Sequence, residues 1–243
     1  MNSVELNWKW GRVVMGGPTA LLTRLHVYGR ERMPREGGIV VAMNHFSWVD
    51  IPAYGWATPR PLYYLAKAEA HAVPVAGAYL RLFGSFAVRR GESDREAVRR
   101  MRDVVRTGNA LGVFAEGTRQ RSGVPGPVQP GAAMVALNED VPVVCGAIHG
   151  SQTWKIGNLA PVSIVWGEPM RLEGLPSGSK GYREASELIR AELHRLWSWL
   201  VDLHAAGRPR GVTLPYPCQT PDSSAPSPSS ASPMSASRRS STG

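Results

Sequence analysis

The sequence predicts an α/β protein with a mixed, largely parallel central sheet flanked by helices, preceded by N-terminal helices suited to a membrane interface. Three observations carry this. Short β-branched runs alternate with longer segments of helical period; such alternation builds parallel sheets covered by helices. Glycine or turn residues precede several of the runs. Polar residues follow directly at the ends of three runs, where α/β sheets present their functional groups.

Met1 to Leu22 comes first in the chain. It carries Val4, Leu6, Trp8, Trp10, Val13, Val14, Leu21 and Leu22. Trp8 and Trp10 flank Lys9, a mixture that suits a membrane interface. Gly16, Gly17 and Pro18 interrupt this stretch, so helices lying within one leaflet are expected. No uninterrupted apolar run reaches the about 20 residues needed to span a bilayer. Acidic Glu5 precedes the first basic residue, unlike the layout of a signal peptide.

Six runs read as strands: Ile39 to Ala42, Leu62 to Ala66, Phe86 to Val88, Leu111 to Ala115, Val141 to Ile148 and Val162 to Trp166. Between and after them lie two clear helices. Over Ser93 to Arg106, Ser93 and Glu96 have the spacing of a capping box, and Ala97, Val98, Met101, Val104 and Val105 make one apolar face. Arg95, Arg99, Arg102 and Arg106 form a basic stripe on another face of that helix. Tyr182 to His204 repeats apolar residues from Ala185 to Leu203 along one side. Three segments are expected: residues 1–24 associating with the membrane, 25–207 forming the chemical domain, and a 208–243 tail. The tail holds ten Ser and seven Pro with no apolar period, a composition that cannot offset the entropy of ordering.

Composition narrows the function. Hydrophobic residues are 43% of the 243, enough for one ordinary core. The formal net charge of +9 suits a negatively charged partner: nucleic acid, an anionic membrane or a phosphorylated substrate. Two cysteines, Cys145 and Cys218, make neither a disulfide framework nor a zinc site. His-Glu-x-x-His and Gly-x-Ser-x-Gly are both absent, so neither a metal site nor a serine-hydrolase elbow is expected.

Three strand-end blocks carry chemistry. Asn44-His45-Phe46-Ser47-Trp48-Val49-Asp50 follows the first run. On a regular helix, His45 and Asp50 would point to different faces. With His45 just before a helix and Asp50 in its first turns, the side chains meet. A carboxylate on one ring nitrogen then leaves the other as a base. A capping histidine and a first-turn aspartate would give the same letters. Phe114-Ala115-Glu116-Gly117-Thr118-Arg119 follows the fourth run. Arg119 offers donors matched to phosphate oxygens, Gly117 allows close backbone approach, and Glu116 is placed to hold the arginine. A surface turn with an exposed ion pair reads similarly. Gly84 to Arg90 is a third turn ending in guanidinium groups.

Taken in order, these blocks resemble those of the glycerolipid acyltransferases, particularly the bacterial 1-acylglycerol-3-phosphate acyltransferases. Asn44 to Asp50 is similar to their NHxxxxD block, Gly84 to Arg90 to GxFxxxR and Phe114 to Arg119 to FPEGTR. Val141-Pro142-Val143-Val144 is similar to VPVVP. The likeness spans about Leu25 to Glu168. The departures are Ala115 and Cys145, where the family usually has Pro, and Gln129, where a basic residue is frequent. The resemblance implies acyl transfer from acyl-CoA or acyl carrier protein to the free hydroxyl of 1-acylglycerol-3-phosphate, with no cofactor and no metal. His45 would be the general base and Asp50 its orienting partner. Arg90, Glu116, Gly117, Thr118 and Arg119 would bind the acceptor phosphate. Lys67, which matches a lysine common after the family's second strand, would also bind substrate; a solvated lysine at a strand end reads the same. The expected location is the cell membrane, peripheral or monotopic, on its cytoplasmic face. The same chemistry on another lysolipid or an amino-lipid is the nearest alternative. A basic nucleic-acid-binding protein is an alternative of another class, which leaves the strand-end blocks unexplained and lacks a recognisable motif; no nucleic acid is expected as a partner.

Overall fold

The computed structural model describes residues 3–67, 77, 86–88, 94–209 and 211–215. Among them, seven strands form one sheet: β1 (His26–Tyr28), β2 (Ile39–Met43), β3 (Leu62–Lys67), β4 (Phe86–Val88), β5 (Ala110–Phe114), β6 (Val143–His149) and β7 (Ser163–Trp166). Their order is β1-β7-β6-β2-β5-β3-β4. All neighbours are parallel except β6 and β7, so β1 and β7 run against the other five. The sheet is mixed and largely parallel, as the sequence predicts. β2 lies near the centre and every one of its residues is buried. Its β-branched run reads without alternation because helices cover both faces.

The helices are α1 (Ser3–Gly11), α2 (Gly17–Leu22), α3 (Asp50–Ala57), α4 (Asp94–Arg106), α5 (Gly131–Glu139) and α6 (Ser179–Ala205). One layer packs Trp8, Met33, Tyr54, Trp154 and Trp166 against Ile39, Val41 and Met43. The opposite layer packs Met101, Val105, Ala133, Ile189, Leu193 and Leu196 against Val40 and Ala42. Alternate residues of β2 thus serve the two layers, the period of two that a strand imposes.

The N-terminal segment differs from expectation. Gly16, Gly17 and Pro18 do not break it. A π-helical segment, Arg12–Gly16, joins α1 to α2, and Gly16 keeps helical angles (φ −69°, ψ −39°). Pro18 sits in the first turn of α2, where a missing N–H is tolerated. Gly16 packs closely: a Cβ there would lie 3.2 Å from Trp56 Cβ, tighter than most side-chain contacts. Arg12 covers the rings of Trp8 and Trp56, 5.5 and 5.2 Å from their centroids. Trp8 is buried, while Leu6, Trp10, Val13, Val14 and Leu21 are exposed. Those five recur at helical spacing and form one outward apolar stripe.

Two arginines of the basic stripe of α4 tie it to α5. Arg102 and Arg106 both pair with Glu139 on α5, and Arg99 and Arg100 pair with Glu96. The proposed cap residue Ser93 lies outside the described residues, as does the tail from residue 216 onward.

Candidate active site

Parallel strands β2, β3, β4 and β5 end at one edge of the sheet, and the blocks Asn44 to Asp50 and Phe114 to Arg119 gather there. β2 ends at Met43. Asn44 then continues it with its side chain: Nδ2 donates to Ile148 O (3.1 Å) and Oδ1 accepts from Ile148 N (2.8 Å). Asn44 thereby ties the end of β2 to β6 beyond the last paired residue. The buried Tyr54 hydroxyl lies within reach of Asn44 Oδ1 (3.1 Å) and Gly146 O (3.0 Å), tying α3 to the same point. Burial holds that phenol well above its ordinary pKa, so it stays a neutral donor.

His45 precedes α3, and Asp50 opens it. Asp50 Oδ2 accepts three hydrogen bonds: Phe46 N at 2.6 Å, Ser47 N at 2.7 Å and His45 Nδ1 at 2.9 Å. Asp50 is fully buried, and the His45 side chain is 13% exposed. The five-residue separation works because the chain between them loops instead of coiling. Its amides turn inward onto the carboxylate, which also sits at the positive end of α3. With its proton on Nδ1, His45 leaves Nε2 as a free base. The ring stacks on Phe114 from the end of β5, at 4.0 Å between centroids and 21° between planes.

The second block is fastened to the first through Glu116. Glu116 Oε2 accepts from His45 N (2.8 Å), and Oε1 accepts from Gly126 N (3.1 Å). Glu116 therefore does not hold Arg119, as the sequence suggests; both its oxygens are occupied by backbone amides. Burial pushes its carboxyl up to about 7, although the two amides favour the charged form. Two further backbone bonds brace the junction: Gln120 N to His45 O (2.7 Å) and Ala115 N to Met43 O (2.8 Å).

Gly117 closes a tight turn, its N–H donating to Phe114 O at 2.9 Å with φ +70°. The left-handed angle makes glycine the favoured residue there. A Cβ would find 3.4 Å of clearance, so crowding is not the reason. Thr118 and Arg119 are exposed, and Arg119 makes no ion pair among the described residues. Its guanidinium is available to an anion. Lys67 ends β3 at the same edge, paired in register with Val88. Arg90 lies outside the described residues, two positions beyond the end of β4.

Sequence reasoning missed three supports of the site. Tyr54 and the stacking face of Phe114 act across elements far apart in the chain. Gly126 carries no local sign that its amide is bound by Glu116. No group of three or more His, Cys, Asp or Glu suited to a metal ion occurs among the described residues.

A buried carboxylate, a histidine with one nitrogen free and an exposed guanidinium at the carboxyl edge of a parallel sheet suit proton abstraction beside an anionic substrate. A family model described as Acyltransferase matches residues 24–149, just over half of the chain. The chain belongs to that family. The 1-acyl-sn-glycerol-3-phosphate acyltransferase of Bacillus subtilis is 28% identical over 146 residues, 59% of this chain and 72% of that protein. The lyso-ornithine lipid O-acyltransferase of Pseudomonas aeruginosa is 40% identical over 86 residues, 35% of this chain and 32% of that one. The solved 1-acyl-sn-glycerophosphate acyltransferase PlsC of Thermotoga maritima shares the fold, with a TM-score of 0.60 and 23% identity over 78% of this chain and 79% of that one.

Proposed function

We propose that this chain moves a fatty acyl group from an acyl thioester to the free hydroxyl of 1-acylglycerol-3-phosphate, giving phosphatidate. The observation that carries this is the His45 Nδ1–Asp50 Oδ2 bond of 2.9 Å at the strand edge that also presents Arg119. His45 Nε2 takes the hydroxyl proton as the acceptor oxygen attacks the thioester carbonyl. A C–O bond forms, and the carbonyl becomes a tetrahedral oxyanion. Its collapse breaks the C–S bond, and the thiolate leaves with the proton held by the imidazolium. Asp50 orients the ring and offsets the positive charge that develops on it. Arg119, with Arg90, Thr118 and the Gly117 turn, receives the acceptor phosphate. Lys67, the last residue of β3, is assigned to substrate as well. Glu116 acts one step back, holding the His45 backbone against the turn.

The acyl donor is acyl-CoA or acyl carrier protein. Both deliver a thioester on a phosphopantetheine arm, which suits a chain of net charge +9. The enzyme sits on the membrane that holds its acceptor, at the cytoplasmic face where such donors are found. The outward stripe of Leu6, Trp10, Val13, Val14 and Leu21 supports that attachment. No helix among the described residues is long and apolar enough to cross a membrane. An amino-lipid acceptor is a second reading, supported by the 40% identity to the lyso-ornithine lipid enzyme.

Purified wild-type and His45→Ala proteins, given an acyl donor and a panel of lysolipids, test the reading. The wild type should favour lysophosphatidate, and His45→Ala should lose roughly 10²–10⁴-fold in kcat with the fold intact. A folded His45→Ala protein with near-normal turnover would remove the histidine from the mechanism. Preference for lyso-ornithine lipid would change the acceptor and keep the chemistry.

A further inference from the structure

The connection from β6 to β7 carries a feature that acyl transfer itself does not use. Ile156 is 84% exposed and Leu159 47% exposed, on either side of Gly157 and Asn158. This loop is braced from within. Asn158 Oδ1 accepts from Lys155 N (3.1 Å) and Ala160 N (3.0 Å), while its Nδ2 donates to Thr153 O (2.9 Å). Thr153 Oγ1 in turn donates to Gly150 O (3.1 Å). Leu159 is held at φ +44°, in the left-handed region that a leucine rarely adopts. Single exposed aliphatic residues are ordinary on protein surfaces. A turn braced from within that holds two of them outward, one in the left-handed region, presents a fixed apolar point to a surface outside the chain.

The surroundings indicate what that surface is. Trp154 anchors the loop: it is buried, and its Nε1 donates to Leu22 O (3.3 Å) at the end of α2. It also meets the exposed Trp48 edge-on at 5.7 Å, in the segment between His45 and Asp50. Leu21, Leu22, Trp48, Ile156 and Leu159, all exposed, thus belong to three segments joined through Trp154. Trp154 ties the end of α2, where the outward stripe stops, to the segment that holds His45. Lys155, exposed beside Ile156, makes no ion pair among the described residues and suits lipid phosphates.

We propose that residues 150–161 form a second membrane contact, a finger that inserts Ile156 and Leu159 into an anionic bilayer and seats the His45 edge on the lipid surface. This rests on the reading that the chain works on membrane lipid. It adds that attachment has two points, helix and finger. The bilayer surface then lies beside the site, and an acyl chain need not cross open water to reach His45.

The test places an environment-sensitive fluorophore at Ile156→Cys and, separately, at Val13→Cys. Both are made in a Cys218→Ser background, which leaves Cys145, a buried thiol. Vesicles of phosphatidylglycerol and phosphatidylethanolamine are added. Both probes should shift to the blue and be quenched by brominated lipid. A probe at 156 that stays in water while the probe at 13 enters lipid overturns the finger and leaves the helix contact standing. If neither enters, the finger and the membrane reading fall together, while the acyl-transfer assay with soluble acceptor stands apart. A second variant, Ile156→Asn with Leu159→Asn, suits the left-handed position, because asparagine adopts it readily. Its vesicle affinity should fall about tenfold or more, because two aliphatic side chains lose their transfer to lipid, with no loss of thermal midpoint. Unchanged affinity overturns the proposal.

Discussion

Asp50 separates positioning from charge within one residue. Its Oδ2 serves three donors at once, the amides of Phe46 and Ser47 and the Nδ1–H of His45. Asp50→Ala leaves two loop amides without an acceptor at a buried point, and unsatisfied groups cost about 1–3 kcal/mol each. The expected loss is therefore about 2–6 kcal/mol, a large share of a domain stability of about 5–15 kcal/mol. Asp50→Asn behaves differently. The two amides demand an oxygen, so the asparagine carbonyl takes the Oδ2 position and the NH₂ turns away. His45 keeps its tautomer. Three charge-assisted bonds become neutral, at about 1 kcal/mol each, or about 3 kcal/mol in stability, and the NH₂ takes the place of Oδ1, which is buried without a hydrogen-bond partner, at a further cost of about 1–3 kcal/mol. The same change leaves the imidazolium of the transition state without a counter-charge, which should lower kcat by about 10². Urea unfolding of both variants, with kcat measured under conditions where each is folded, checks the pair of numbers. Asp50→Asn with wild-type turnover would show that the carboxylate charge plays no part in the reaction. Asp50→Ala as stable as the wild type would show that the loop does not depend on it.

Two other outcomes are expected. Glu116 titrates at about 7, against 4.5 for an ordinary glutamate, so the folded state holds its proton more tightly than the unfolded chain does. Its stabilising contribution is full below pH about 4.5 and is lost as pH rises through about 7; at 1.36 kcal/mol per unit the loss is about 3 kcal/mol. Stability of wild type relative to Glu116→Gln should fall by about that amount between pH 5 and 8, and parallel profiles from the two proteins would refute the buried, titrating carboxyl. Arg119→Ala should raise KM for lysophosphatidate roughly 10- to 100-fold, the worth of a charge-assisted contact to phosphate, with little change in KM for the acyl donor. A rise confined to the donor would move Arg119 to the other substrate.

Much of the fold was legible because its signals are local. β2 reads as a strand from Ile39-Val40-Val41 alone, and α6 from apolar residues at helical spacing between Ala185 and Leu203. What escaped depends on partners. β1 is three residues at the sheet's edge, too short to show a period, and exists through its pairing with β7. α5 follows Pro130 with Ala132, Ala133, Val135 and Ala136 all buried, so it shows no polar-apolar contrast to recognise. The expected break at Gly16-Gly17-Pro18 failed because the packing of Gly16 on Trp56 rewards a continuous helix where local propensity is poor. One consequence concerns the N-terminal segment. Trp8 belongs to the core, so deleting the segment would open that core as well as remove the apolar stripe, and substitutions on the outward face are the cleaner probe.

The site divides along the same line. His45 and Asp50 lie within one short block, and once a strand is known to precede them and a helix to follow, their meeting is a local matter. Glu116 is different. In the sequence it stands three residues from Arg119, and an ion pair is the natural reading. Its partners are the amide of His45, 71 positions earlier, and that of Gly126, ten positions later. Parallel pairing of β2 with β5, Met43 opposite Phe114, brings the two blocks side by side. That register puts the Glu116 carboxylate within reach of the backbone that carries the base and leaves Arg119 exposed. The exposed guanidinium then has no internal carboxylate to compete with an incoming phosphate. A glutamate whose oxygens are taken by backbone amides leaves the arginine exposed, the state that the proposed phosphate contact requires, and the register of two strands sets both.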